Sequence, residues 1–108
     1  MNNEQSDHIN NILHRVFDER EKQVNIKGYT AEHDDEHDRE EIADAAAAFV
    51  FGGSKLKTSD PAQPLEITSE WFTDEQIRRK PRIRQLEIAA ALIVAEIERL
   101  ERKALKTK

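Results

Sequence analysis

The chain has 108 residues, of which 37% are apolar and 36% charged; its net charge is −5 and it has no cysteine. That length holds one domain and excludes two, and the lack of cysteine excludes disulfides, thiolate metal sites and thiol nucleophiles. The negative balance opposes non-specific contact with nucleic acid, so no direct DNA binding is expected.

Glycine and proline number three each, too few for a strand-and-turn protein, while Ala, Glu, Arg, Lys and Leu abound. These favour helix, because their side chains lose little freedom there. An all-α fold is predicted, a small bundle of three main helices plus one short helix, spanning residues 1–108 as a single domain. The N-terminal Met-Asn-Asn-Glu-Gln-Ser lacks the basic-then-apolar pattern of a signal peptide. The longest apolar run, Ile88 to Ala95, is far short of a membrane span. A cytoplasmic protein with no membrane contact is therefore expected.

The first helix is predicted over about 7–27, capped by Ser6 or Asp7 and closed by Gly28. Ile9, Ile12, Leu13, Val16, Phe17 and Val24 recur at steps of three and four and predict one core-facing stripe. In Glu19-Arg20-Glu21-Lys22-Gln23, Glu19 lies between Val16 and Val24 and points inward, beside an Arg20 read as a structural ion-pair partner. The second helix is predicted over about 35–51, through Ile42, the run Ala45 to Ala48, and Phe49, ending at Gly52-Gly53. So many alanines allow close approach from several sides, which suits a central helix.

Residues 52–72 read as a loop, long for so small a domain and therefore mobile or functional. Trp71 and Phe72 follow as plugs at the edge of the core. Thr73 and Gln76 have capping-box spacing and predict a short helix over 74–79. Pro81 then opens a long helix over 81–105. Leu86, Ala89, Ala90, Ile93, Ile97 and Leu100 form one stripe on it, and Ile88, Leu92 and Ala95 a second. A face this wide requires more than one neighbour, either both other helices or a second subunit. With so lean an apolar content, a homo-oligomer is the expectation.

Two charge clusters are candidates for chemistry. Between Glu32 and Asp44 stand eight carboxylates and one Arg, with His33 and His37 among them. On one helix His33, His37 and Glu41 would follow each other at four-residue steps, with Asp44 one turn beyond Glu41. Glu32, His33, His37, Glu41 and Asp44 are thus candidate metal ligands: the oxygen-rich cluster suits Mg²⁺ or Mn²⁺, and two imidazoles plus a carboxylate suit Zn²⁺, Fe²⁺ or Mn²⁺. The zinc-protease helix motif is excluded, since Asp34 and not Glu follows His33, and the calcium-loop pattern fails for want of its central glycine. Between Arg78 and Arg84 lie five basic residues and no acid. There Arg82 and Arg84, beside a helix N-terminus, form a candidate phosphate-binding surface. The plainer alternative is that the two clusters face and neutralise each other, or solubilise helix ends.

Three blocks carry a family resemblance. They are Glu19 to Gln23, then Gly28-Tyr29-Thr30-Ala31-Glu32-His33-Asp34-Asp35-Glu36-His37 with the alanine-rich helix, then Trp71, Lys80-Pro81 and Arg84-Gln85-Leu86 leading into Ala91 to Leu100. Together they resemble a family of small phage and prophage proteins, mostly of unknown function, which implies the host cytoplasm as the setting. More distantly, Glu41-Ile42-Ala43-Asp44 resembles one element of the MazG-like all-α nucleoside triphosphate pyrophosphohydrolases. That likeness implies Mg²⁺ held by carboxylates against a triphosphate. Their second element, Glu-Glu-x-x-Glu, does not occur in the first helix; Glu19 and Glu21 stand there at another spacing.

Two functions compete. One is a phage accessory protein that binds a host or phage protein through an acidic helical surface. The other is a divalent-metal-dependent protein that binds or hydrolyses a nucleotide.

Overall fold

The computed structural model describes residues 1–52, 69 and 71–106. Among the described residues the chain is all-helical, with α1 over Asn3–Asn25, α2 over Ala31–Asp35, α3 over Glu41–Val50, α4 over Asp74–Arg78 and α5 over Arg82–Lys106. Most of the predicted 52–72 loop lies outside the described residues.

The first helix starts earlier than predicted, because Asn2 and neither Ser6 nor Asp7 caps it, accepting from the Gln5 N–H at 2.8 Å. It ends where Gly28 adopts φ +78°, which turns the chain so that the Tyr29 N–H reaches the Gln23 carbonyl at 2.8 Å. The predicted second helix begins later than expected, at Glu41, and a separate short helix precedes it. Thr30 caps a single short turn, α2, and Glu40 then sits in the left-handed region at φ 67° immediately before α3. The short helix before α5 is present as predicted, with both hydrogen bonds of the Thr73–Gln76 capping box in place.

The core lies between α3 and α5. Ile42, Ala45, Ala46, Ala48 and Phe49 of α3 pack with Ile88, Ala89, Leu92 and Ala95 of α5, and Ile77 of α4 closes one end. Tyr29, Trp71 and Phe72 cover its edge, with Phe72 edge-on to Phe49 at 4.8 Å between ring centres. The alanines of α3 let the two backbones approach closely, which is how a lean sequence still closes a core.

The role of α1 is the main departure from expectation. Its predicted core stripe is not inside: Ile9, Ile12, Leu13 and Phe17 are all exposed, Leu13 and Phe17 each at 58%. The buried residues of α1 are instead Glu19, Arg20 and Gln23. The helix is held to the body by charge. Likewise, of the two stripes on α5, the one carrying Ile88, Leu92 and Ala95 is buried, whereas Leu86, Ile93, Ile97 and Leu100 face outward. No helix of the described residues is long and apolar enough to cross a membrane.

Candidate functional site: an ionic layer, a histidine corner and an uncovered apolar face

Between α1 and the rest of the chain runs a layer of buried charge. Glu19, 2% exposed, accepts from Arg84 at 2.8 Å and from Lys27 at 3.3 Å. Arg84 also reaches Glu87 at 2.6 Å, and Arg15 of α1 meets the same carboxylate at 2.7 Å. Arg20 joins three helices: it donates to Asp34 of α2 and to Glu98 of α5, both at 2.9 Å, and lies 3.4 Å from the Tyr29 carbonyl. Burying these groups is tolerable only because each charge has found an opposite one.

The protonation equilibria reflect that pairing. Burial alone pushes the Glu19 carboxyl up, but the Arg84 hydrogen bond and the Lys27 and Arg84 charges outweigh it and leave its pKa lowered. The hydrogen bond from Arg84 likewise lowers Glu87 against the opposing effect of burial. At the outer end of the layer, the hydrogen bond from Arg102 lowers Asp35. Arg84 itself is raised by its bonds to Glu19 and Glu87.

The predicted phosphate-binding arginines are therefore engaged within the chain. Arg82 donates to the Phe49 and Val50 carbonyls at 3.3 and 2.5 Å, satisfying the open end of α3. Arg84 is bound between Glu19 and Glu87. The acidic segment and the basic run do not neutralise each other. Asp34 pairs with Arg20, and Asp35 with Arg102 and Lys106 at the far end of α5. Arg78 and Arg79 pair within α4, with Asp74 and Glu75.

The candidate metal ligands separate into two groups. Glu32 and Asp44 are exposed. His33, His37 and Glu41 do come together, although the helix breaks between them. His37 Nδ1 lies 2.9 Å from Glu41, His33 Nδ1 lies 2.9 Å from Asp34, and the two imidazole centres are 4.5 Å apart. Tyr29 stacks on His33 at 4.9 Å, and Trp71 stands against His33 and His37 at 5.5 and 4.9 Å. A carboxylate on Nδ1 fixes the ring and leaves Nε2 to face a ligand, the arrangement that orients metal-binding histidines. Among the described residues, however, no group of three or more His, Asp or Glu side chains is arranged around a common point.

The second surface is apolar. Ala43, Ala46, Ala47, Val50 and Phe51 of the α3 region and Ile93 and Ile97 of α5 line a groove of about 410 Å³, together with Glu96. Glu96 is 8% exposed, and while one of its oxygens accepts from Arg99 at 2.5 Å, Oε2 accepts no hydrogen bond. Next to this groove the exposed stripe of α5 continues through Leu100, and the exposed stripe of α1 is likewise left uncovered. Periodicity found both stripes, but not that among the described residues they stand exposed. Trp71 and Tyr29 were placed in the sequence without a link to the histidines, since only the fold brings them together.

Compared with protein families, curated proteins and solved structures, the chain matches none.

Proposed function

We propose that this chain acts by binding another protein, as a small accessory protein of the phage type, and that its working surface is the uncovered apolar stripes of α1 and α5 together with the exposed acidic residues of the 32–44 segment. One observation carries this reading: Leu13 and Phe17 of α1 and Leu86, Ile93, Ile97 and Leu100 of α5 are each at least 43% exposed. Large apolar side chains left uncovered on two helices of so charged a protein mark an interaction site. Glu32, Glu36, Asp38, Glu40 and Asp44 are exposed and form no ion pair with another described residue, so they supply an acidic flank for a basic partner. The same stripes support homo-oligomerisation. The test is capture from cells of the source organism at low salt, comparing the wild type with Leu13→Asp and with Ile97→Asp. A partner retained by the wild type and lost from both variants is the expected result; equal recovery on all three, or nothing on any, defeats the proposal.

A second reading has its own support in the corner of His33, His37, Glu41, Tyr29 and Trp71. Two carboxylate-oriented imidazoles beside two aromatic rings suit Mn²⁺, which accepts nitrogen as well as oxygen ligands, with the base of a nucleotide stacked alongside, the metal neutralising phosphate charge and activating water. Titration calorimetry with Mn²⁺ against wild type and Glu41→Gln decides it, with pyrophosphate release from nucleoside triphosphates as the activity readout. Heat and release, both lost in Glu41→Gln, are expected on this reading; no heat from the wild type removes it.

A further inference from the structure

We infer that the occupant of the groove between α3 and α5 is the N-terminal half of α1 from a second copy of this chain, exchanged reciprocally across a two-fold axis. This rests on the reading of the apolar face as a protein-binding surface and names its partner.

The first part of α1 behaves as an arm. Between Asn3 and Asp18 no residue is buried, and the first bond tying α1 to another helix is that from Arg15 to Glu87. At about 1.5 Å per residue, the segment before Arg15 extends roughly 18 Å. A helix of that length is marginal in water without a surface to pack on. Ile9, Ile12, Leu13, Val16 and Phe17 recur at the spacing with which an amphipathic helix fills an apolar groove.

The groove suits such an arm in shape and chemistry. The alanines Ala43, Ala46 and Ala47 leave room for a helix between Val50 and Phe51 on one side and Ile93 and Ile97 on the other. Among the described residues, none of α1 lines it, so α1 does not fill the groove of its own chain. The bare Oε2 of Glu96 adds a requirement that plain hydrocarbon cannot meet: a buried acceptor without a donor is costly, so the occupant brings a donor as well as apolar side chains. The arm carries Asn10, Asn11 and His14 interleaved with its stripe. Ile9, Ile12, Leu13 and Phe17 of the arm and Val50, Phe51, Ile93 and Ile97 of the groove are each 36–58% exposed, and reciprocal exchange would set all of them toward the roughly 800 Å² per partner that a stable interface buries. Arm into groove is self-complementary, so two copies satisfy each other and the assembly closes.

Since the chain has no cysteine, the contact can be tested by engineered disulfides on the full chain. Light scattering gives the mass of the wild type, Leu13→Asp and Ile97→Asp, with circular dichroism confirming helix in each. Separately purified Leu13→Cys and Ala47→Cys chains are then mixed and oxidised. A wild-type dimer, weakened at least about tenfold by either aspartate, with a mixed Leu13–Ala47 disulfide dominating, is expected. A wild-type monomer overturns the inference, as does a dimer in which Leu13→Cys cross-links only to itself, since that pairs the arms with each other. A monomer that still captures a different protein through the apolar face would leave the broader proposal standing. An arm-exchanged dimer that captures nothing else would defeat the broader proposal and leave this one.

Discussion

Glu19 illustrates how this protein uses charge where others use hydrocarbon. Its carboxylate is buried against Arg84 and Lys27, so removing it leaves cations short of a partner. Glu19→Gln is expected to cost about 2 kcal/mol, less than a fully enclosed pair, because Arg84 keeps Glu87 and part of its access to solvent. The lowered pKa values of Glu19, Glu87 and Asp35 fix the pH dependence. A carboxylate depressed in the folded state stabilises fully above its ordinary value, and that contribution is lost as pH falls through the folded value. The urea midpoint should therefore be level from neutral down to about pH 5 and fall below it, with a shallower acid limb in Glu19→Gln. Arg82 makes a contrasting prediction. It satisfies the Phe49 and Val50 carbonyls, so Arg82→Ala should lower stability by about 1 kcal/mol in denaturant melts, whatever it does to anion binding.

At the scale of elements, α3 depends on how it ends as much as on its alanines. Gly52 follows it at φ +66°, where an added Cβ would stand 3.0 Å from Gln85 Oε1 and 3.1 Å from Arg82 Nη1. Gly52→Ala is expected to destabilise by more than about 1 kcal/mol, read as a lower thermal midpoint, because the strained backbone and the crowding add. That four helical segments lie near their predicted places follows from local signals: the stripe of α1, the alanine run, the Thr73–Gln76 box and Pro81. The inward Glu19 and the ion-paired Arg20 were legible, but not that they replace the apolar stripe as the inward face of α1. A stripe of Ile and Leu ordinarily marks the core, and the burial of Glu19, Arg20 and Gln23 depends on Asp34, Arg84 and Glu98, which are distant along the chain. The break before α3 was equally hidden, since Glu40 has no local reason to adopt a left-handed backbone. The approach of His37 to Glu41 was anticipated by spacing, yet it arises across that break and not along one helix.

For the molecule as a whole, the balance of apolar surface governs behaviour. Among the described residues the fully buried apolar core comes from α3, α4 and α5, while large apolar side chains on α1 and α5 face outward. Covering them in an assembly stabilises the folded state by mass action, so the thermal midpoint should rise with protein concentration, and lose that dependence in Leu13→Asp. The ionic layer between α1 and the rest has a different consequence, one for descent. Where hydrocarbon meets hydrocarbon, one partner changes size and its neighbours adjust. Where Glu19 meets Arg84, or Arg20 meets Asp34, a single change of sign strands a buried charge. Mutation at these positions is therefore admitted in pairs, and in related chains α1 should covary with α2 and α5 while its outward stripe follows whatever it binds.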